Sequence, residues 1–399
     1  MNEARAELFD SYARHVNAGK VATFQQFGFD AVMGSRAGIR FFDAFDDRSW
    51  INCHCNGGVF NLGHRHPAVL AAVTAALGDG DIGNHHLIAP GRAELAERLA
   101  ATTGGHLPGV VFGVGGGEAI DLAIKVARAA TGRTGIISVD GGYHGHTGLA
   151  MAAGDAEYRD PFGPNPPGFR QVLFDDLPAL EAAFDDDTAA VIVEPIPATL
   201  GMPIPSPGYL GSVAELCSGR GAKLIVDEVQ AGLGRTGRIW AYQHEDILPD
   251  ILVTAKGLSG GVYPISATLM TRQIHSLFDE EPFIHISTFG GAEPGCRAAL
   301  TVLDIIETPG FLDRVVTVAE KFREGLAGPG FVLRQRGLMM GLEFPTPEGG
   351  PMATKLLFDR GLFALYANND PSVLQFLPPL TCTDDEVDEI IGIVRSVFG

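Results

Sequence analysis

Apolar residues change their spacing along this chain, and each change marks a different kind of element. Over residues 4–18 they recur at helical spacing, with Leu8, Tyr12 and Val16 on one face, which predicts a helix. Two strand-like runs follow at 39–43 and 49–53, divided by the Asp46-Asp47 turn. Residues 57–67 read as a loop, and helices at about 68–78 and 91–102 flank a second loop at Asn84, His85 and His86. From Val110 onward, short apolar runs alternate with amphipathic ones. The strands fall at 110–113, 135–139, 190–194, 223–227 and 251–254, and the helices at 118–131, 178–184 and 208–219. That alternation predicts an α/β fold with a mostly parallel sheet and helices on its faces. After about residue 290 the rhythm changes once more, to a long helix at 293–306, mixed helix and strand pieces, and a last helix at 384–397. The end of the chain therefore reads as a second, smaller domain.

Composition narrows the partners. With 399 residues the chain exceeds what one core usually serves, and its 46% hydrophobic and 19% charged fractions suit a globular protein. The formal net charge of −19 argues against nucleic acid or an anionic membrane surface, both of which select basic patches. No apolar run reaches the length of a membrane span, and the charged stretch MNEARAELFDSYARHV does not read as a signal peptide. Five cysteines, an odd count, suggest no disulfide framework and fit a reducing cytoplasm. Cys53-His54-Cys55 looks like half of a metal site, but no second pair follows at zinc spacing, so no metal is expected.

Two of the predicted strands lead to groups that can do chemistry. The run 223–226 ends on Asp227, and the run 251–254 leads to Lys256 with a glycine after it. Open α/β sheets hold ligands outside the carboxyl ends of their strands, so both can face one ligand. A lysine for a Schiff base and an aspartate for a pyridinium nitrogen are what pyridoxal phosphate (PLP) requires. A buried ion pair satisfies the same two residues taken alone. The loop Val114-Gly115-Gly116-Gly117-Glu118 lies between a strand and a helix. Free N–H groups and the helix dipole suit a phosphate there; tight packing also accounts for the glycines. A dinucleotide fingerprint fails, because Glu118 stands where its third glycine belongs. Tyr143 and His144 follow the next strand, where an aromatic either stacks on a flat ring or fills the core. Glu194 ends another strand, and Ser287-Thr288 precede a pair of glycines one residue on.

Taken in order, the glycine loop, Tyr143-His144-Gly145, Glu194-Pro195, DEVQAGLGRTG, TAKGLSGG and TFGG resemble the class III (ornithine/4-aminobutyrate type) aminotransferases. The resemblance runs from the NLGHRHP segment to Pro378-Pro379. It implies PLP fold type I, with a large PLP-binding domain over 51–291, a small α+β domain over 292–399, and segment 1–50 contributing to the small one. It also implies roles. Lys256 carries the Schiff base and moves the proton, and Asp227 keeps the pyridine nitrogen protonated. Val229 and Tyr143 flank the ring, and Gln230 reaches its hydroxyl side. Gly116 and Gly117 hold the phosphate, while Thr288 reaches the phosphate of a partner subunit, which makes the protein a homodimer with shared sites. Glu194 and His144 line the same pocket. The expected substrates are an amine or amino acid donor and a keto or aldehyde acceptor. An aminomutase, epimerase or decarboxylase would use the same core residues, and a non-catalytic scaffold would not need them.

The chain departs from the family pattern in several places. Its phosphate loop lacks the hydroxyls of the usual N-S-G-[TS]-E-A. Gln375 stands where many members carry a carboxylate-binding arginine, and Thr199 replaces the glutamate that pairs with it. Each lost charge-assisted contact is worth roughly 1.5–3 kcal/mol. Carboxylate recognition therefore falls to another arginine, with Arg297 and Arg334 as candidates, or is not needed. Finally, TFGG continues as Ala292-Glu293-Pro294 where Asn-Pro-Leu is common, which predicts a new carboxylate near the phosphate end.

Overall fold

The computed structural model describes residues 3–83, 87–328 and 330–399, and the loop expected at Asn84, His85 and His86 lies outside them. Two helices, Glu3–His15 and Ala18–Gln26, take the place of the single one expected over 4–18. They part at Asn17, whose side chain accepts the Lys20 N–H at 2.8 Å and caps the second helix. Strands β1 (Met33–Ala37), β2 (Arg40–Asp43) and β3 (Ser49–Asn52) then form an antiparallel meander. Arg5 ties the first helix to it through Asp43, at 2.7 Å, and Asp46.

The large sheet is built from β4 (Gly109–Gly113), β5 (Gly135–Val139), β6 (Phe169–Val172), β7 (Thr188–Val193), β8 (Lys223–Asp227), β9 (Ile251–Thr254) and β10 (Ser266–Met270). Their order across it is β4-β10-β9-β8-β7-β5-β6, and β10 runs antiparallel to both its neighbours. Two of these strands, β6 and β10, were not expected from the apolar pattern. In β6 the sequence FRQV carries two polar residues, and in β10 Ser266 and Thr268 break the apolar run although both are fully buried. Burial is tolerable for Thr268 because its hydroxyl donates to Ala119 O at 2.9 Å.

Both faces of this sheet are covered, which explains its near-continuous apolar strands. Leu224 and Val226 of β8 face a core shared with helices Pro67–Asp79, Pro90–Thr102 and Glu293–Ile306. Ile225, pointing the other way, packs with helix Gly116–Thr131. A second core gathers helices Phe311–Gly325 and Asp384–Phe398 over another sheet. Its strands include β11 (Val332–Arg336) and β12 (Met339–Glu343), and after β13 (Leu362–Phe363) the chain adds β14 (Leu365–Tyr366) and β15 (Val373–Phe376). The order is β11-β12-β15-β14, and β13 instead pairs in parallel with β3. Ile39, Ile51 and Cys53 join this second core, so the beginning and end of the chain pack together. Arg235 of the GRTG motif sits fully buried at the seam, donating to Asn61 Oδ1 and Pro378 O, each at 2.5 Å. Among the described residues, no helix is long and apolar enough to cross a membrane.

Candidate active site

Asp227 is the last residue of β8, and Lys256 starts a short turn just past β9, its neighbour in the sheet. Lys256 has φ of 38°, a left-handed conformation that non-glycine residues hold only where the surroundings enforce it. Its Nζ donates to Gln230 Oε1 at 2.7 Å, and Gln230 Nε2 in turn donates to Gln375 Oε1 at 3.3 Å. Gly57 completes the lysine's surroundings. A Cβ there would stand 3.1 Å from both Lys256 Nζ and Gln230 Oε1, at a backbone φ of +65°. Burial pulls the Lys256 amine below the usual lysine range, against the raising influence of Glu194 and Asp227. A buried amine of this kind is closer to its neutral, nucleophilic form than an exposed lysine.

Both oxygens of Asp227 are engaged. Oδ1 accepts the Val229 N–H at 3.0 Å, and Oδ2 lies 2.8 Å from His144 Nδ1. Burial lowers the imidazole's affinity for a proton, but the Asp227 hydrogen bond and charge outweigh it and hold the net value above the ordinary one. His144 Nε2 is buried with no hydrogen-bond partner among the described residues. Glu194, just past β7, accepts the Tyr143 N–H at 2.9 Å, and burial pushes its carboxyl up to about 7.

These groups border one cavity of about 320 Å³. Gly115, Gly116 and Gly117 close one end of it, while Asp227 and Lys256 lie in the same wall system with Val229 and Gln230. Tyr143, His144, Glu194 and Thr199 line it as well. The glycine end is the N-terminus of the 16-residue helix Gly116–Thr131, and no side chain caps it. Its first-turn N–H groups therefore lack intrahelical acceptors and suit a phosphate. A Cβ on Gly116 would only touch the Val229 methyls, at 3.4 and 3.5 Å, whereas one on Gly117 would land 2.8 Å from Thr147 Oγ1, so the cradle depends on the missing side chain at Gly117.

Some expected residues stand elsewhere. Gln375 does not line this cavity; it meets it only through Gln230. The Thr199 hydroxyl is already used, donating to Gly141 O at 2.9 Å. Asn369, which no sequence signal marks, fixes the same loop by donating to Gly141 O at 2.9 Å and to Asp155 at 2.7 Å. Thr288 is exposed and outside the cavity of its own chain. Glu293, like Thr288, lies outside the cavity of its own chain. Its carboxylate lies against Gly80, at the end of helix Pro67–Asp79, because the first turn of helix Glu293–Ile306 points there. Arg297 pairs with Glu94 at 2.8 Å, and Arg334 with Glu343 at 2.7 Å and Asp370 at 3.3 Å; neither lines the cavity. Cys53 and Cys55 are buried free thiols, and among the described residues no cluster of three or more His, Cys, Asp or Glu could hold a metal.

A phosphate cradle at one helix start, with an amine and a carboxylate at adjacent strand ends, defines the PLP enzymes of fold type I. The sequence pattern described as aminotransferase class-III matches residues 30–398, and the chain belongs to that family of PLP-dependent transaminases. An uncharacterized aminotransferase of Archaeoglobus fulgidus is 51% identical over 392 residues, covering 97% of this chain and 92% of the relative. The crystal structure of ornithine aminotransferase from Toxoplasma gondii superposes with a TM-score of 0.88 at 28% identity, over 98% of this chain and 94% of that one. An (S)-enantioselective omega-transaminase from Thermomicrobium roseum also gives 0.88, at 26% identity over 98% of each chain.

Proposed function

We propose that this aminotransferase takes a donor that is not gripped by an arginine at a carboxylate, such as a terminal amine or an amino-ketone. PLP, when bound, supplies the electron sink that lets a proton leave the carbon bearing the amine. Lys256 Nζ, buried and held by Gln230, is the base that takes and returns that proton. Asp227, steadied by His144 and the Val229 N–H, would hold the proton of the ring nitrogen. Val229 and Tyr143 would flank the ring, with Glu194 beside them, and the N–H groups at Gly116 and Gly117 would hold the phosphate. The observation that carries the donor reading is that, among the described residues, no arginine lines the cavity and Lys256 is its one lysine. The test is the visible spectrum of the PLP-loaded protein titrated with amine donors. Diamines or alanine are expected to bleach the cofactor band and glutamate is not; bleaching mainly by glutamate would overturn the reading.

The glycine loop makes its own prediction. Among the described residues, no atom other than those of its chain neighbours lies within 4 Å of where a Cβ on Gly115 would stand, whereas one on Gly117 would land 2.8 Å from Thr147 Oγ1. A single hydrogen bond contributes about 0.5–1.5 kcal/mol. Gly115→Ser is therefore expected to tighten PLP by ~2- to 10-fold in a spectroscopic Kd titration. Gly117→Ser should not tighten it.

We also propose a homodimer with shared sites. Leu87, Ile88, Phe283, Ile284, Ile286 and Phe289 are all exposed in one chain, and Thr288 lies among them. A surface with this much exposed apolar area usually marks an interface. Sedimentation as a 42.2 kDa monomer would remove this proposal. The two domains divide, on this reading, after Ile306 and not at 291/292, because helix Glu293–Ile306 serves the core of the large sheet.

A further inference from the structure

We infer that a second cavity, beyond Gln375, receives the end of the substrate away from its amine, and that this end is an uncharged aryl or branched alkyl group. The inference rests on the proposal above that Lys256 is the reacting lysine. The cavity measures about 280 Å³ and shares Gln375 with the hydrogen-bonded chain that leads back through Gln230 to Lys256. It is thus two hydrogen bonds, of 3.3 Å and 2.7 Å, from the amine.

Its walls are apolar and aromatic. Phe24, Phe27 and Phe29 come from helix Ala18–Gln26 and the turn after it, and Leu365 and Tyr366 from β14. The Phe27 and Phe29 rings stack with centres 6.0 Å apart and an interplanar angle of 19°, and Phe24 meets Phe29 edge-on. Among the described residues, no Asp, Glu, Lys or Arg lines the cavity. Its polar groups are neutral. Burial, and then the nearby Lys256 charge, hold His54 down at about 4, so its imidazole carries no charge at neutral pH. The Thr354 hydroxyl is buried with no hydrogen-bond partner among the described residues. Gln375 uses its oxygen to accept from Gln230, which leaves its amide N–H groups for an acceptor on the occupant.

Chemistry then selects the occupant. A carboxylate drawn into this space would lose its water against three phenylalanine rings with no lysine or arginine among the lining residues, and Lys355, beside Gly28, is already paired with Asp359. An aryl or branched alkyl group loses nothing comparable and gains the apolar walls. An apolar cavity of about 150 Å³ takes up benzene, so this one has room for an aryl group with a short linker. A carbonyl or ether oxygen on that linker would meet the Gln375 N–H groups.

The experiment uses the PLP-loaded enzyme and two probes with no transferable amine, 2-phenylacetamide and phenylacetate, titrated by calorimetry. The neutral probe is expected to bind at least ~10-fold more tightly than the anion. Leu365→Trp, which fills the cavity, should weaken it by ~10-fold or more, and Gln375→Arg should reverse the preference. Should Leu365→Trp fail to fold, the reversal in Gln375→Arg still decides, because misfolding cannot produce a gain for the anion. Equal binding of the two probes by the native enzyme, or neutral-probe binding unchanged in both variants, would overturn the inference. If donors bleach the cofactor band while the probes bind alike, the cavity inference falls and the catalytic proposal stands. If the probes discriminate while no donor reacts, the reverse holds.

Discussion

Lys256→Ala is expected to lower multiple turnover by at least ~10³-fold while the protein stays folded. The factor combines the loss of the proton-moving base, worth ~10²–10⁴-fold, with the loss of the amine that bonds the cofactor. The fold should survive because the lysine's side-chain hydrogen bond goes to Gln230 and its burial is itself unfavourable to the charge. Leaving Gln230 Oε1 without its donor costs about 1–3 kcal/mol, partly returned by removing a buried cation. Steady-state rates with any reactive donor, beside thermal unfolding of the same sample, check both halves. A variant that turns over at the native rate would sink the assignment.

Asp227→Asn is the second large effect, an expected fall of ~10²–10³-fold in kcat with little change in shape. The carboxylate uses one oxygen for the Val229 N–H and the other for His144. An asparagine offers one oxygen and one amide nitrogen, so it cannot accept from both. If its oxygen serves Val229, His144 must accept at Nδ1 and carry its proton on Nε2, which is buried among groups that offer it no acceptor. The pH dependence of stability should report the same change. The folded-state value for His144 is raised, so its contribution is complete below about 6.5 and is lost as pH rises through that higher value. Glu194, pushed up to about 7, contributes in the same sense from about 4.5 upward. In the asparagine variant the His144 part of this decline should vanish, visible as a flatter plot of unfolding free energy against pH. An unchanged plot and unchanged kcat together would mean that Asp227 is only a packing element.

The parts of this molecule that the sequence made legible are those written in short-range patterns. Apolar strands followed by Asp227 and Lys256 could be placed at the same sheet edge because a parallel sheet aligns its carboxyl ends, and the glycine loop announced a helix start. Where packing decides, the pattern failed. Periodicity runs through Asn17, although the cap there breaks the helix. Ser266 and Thr268 made a fully buried strand read as polar. The Glu293 carboxylate lies against Gly80, a contact that its place after TFGG in the sequence does not reveal. The second cavity could not be read at all, since Phe27 and Tyr366 are joined only by the fold. The GRTG arginine was legible as a motif and turns out to bind backbone and Asn61 at the seam.

That seam has a bearing on when the protein becomes competent. Leu377 N–H reaches Cys53 O at 2.5 Å, Leu380 N–H reaches Asn61 O at 2.7 Å, and β13 lies along β3. Gln375, the link between the two cavities, therefore lies on β15, which follows every strand of the large sheet along the chain. On the proposal above, a chain that has closed its large sheet has no substrate chamber until β15 meets the segment around Cys53 and Asn61. On the same reading, loosening β15 from that seam should cost donor selectivity before it costs cofactor binding.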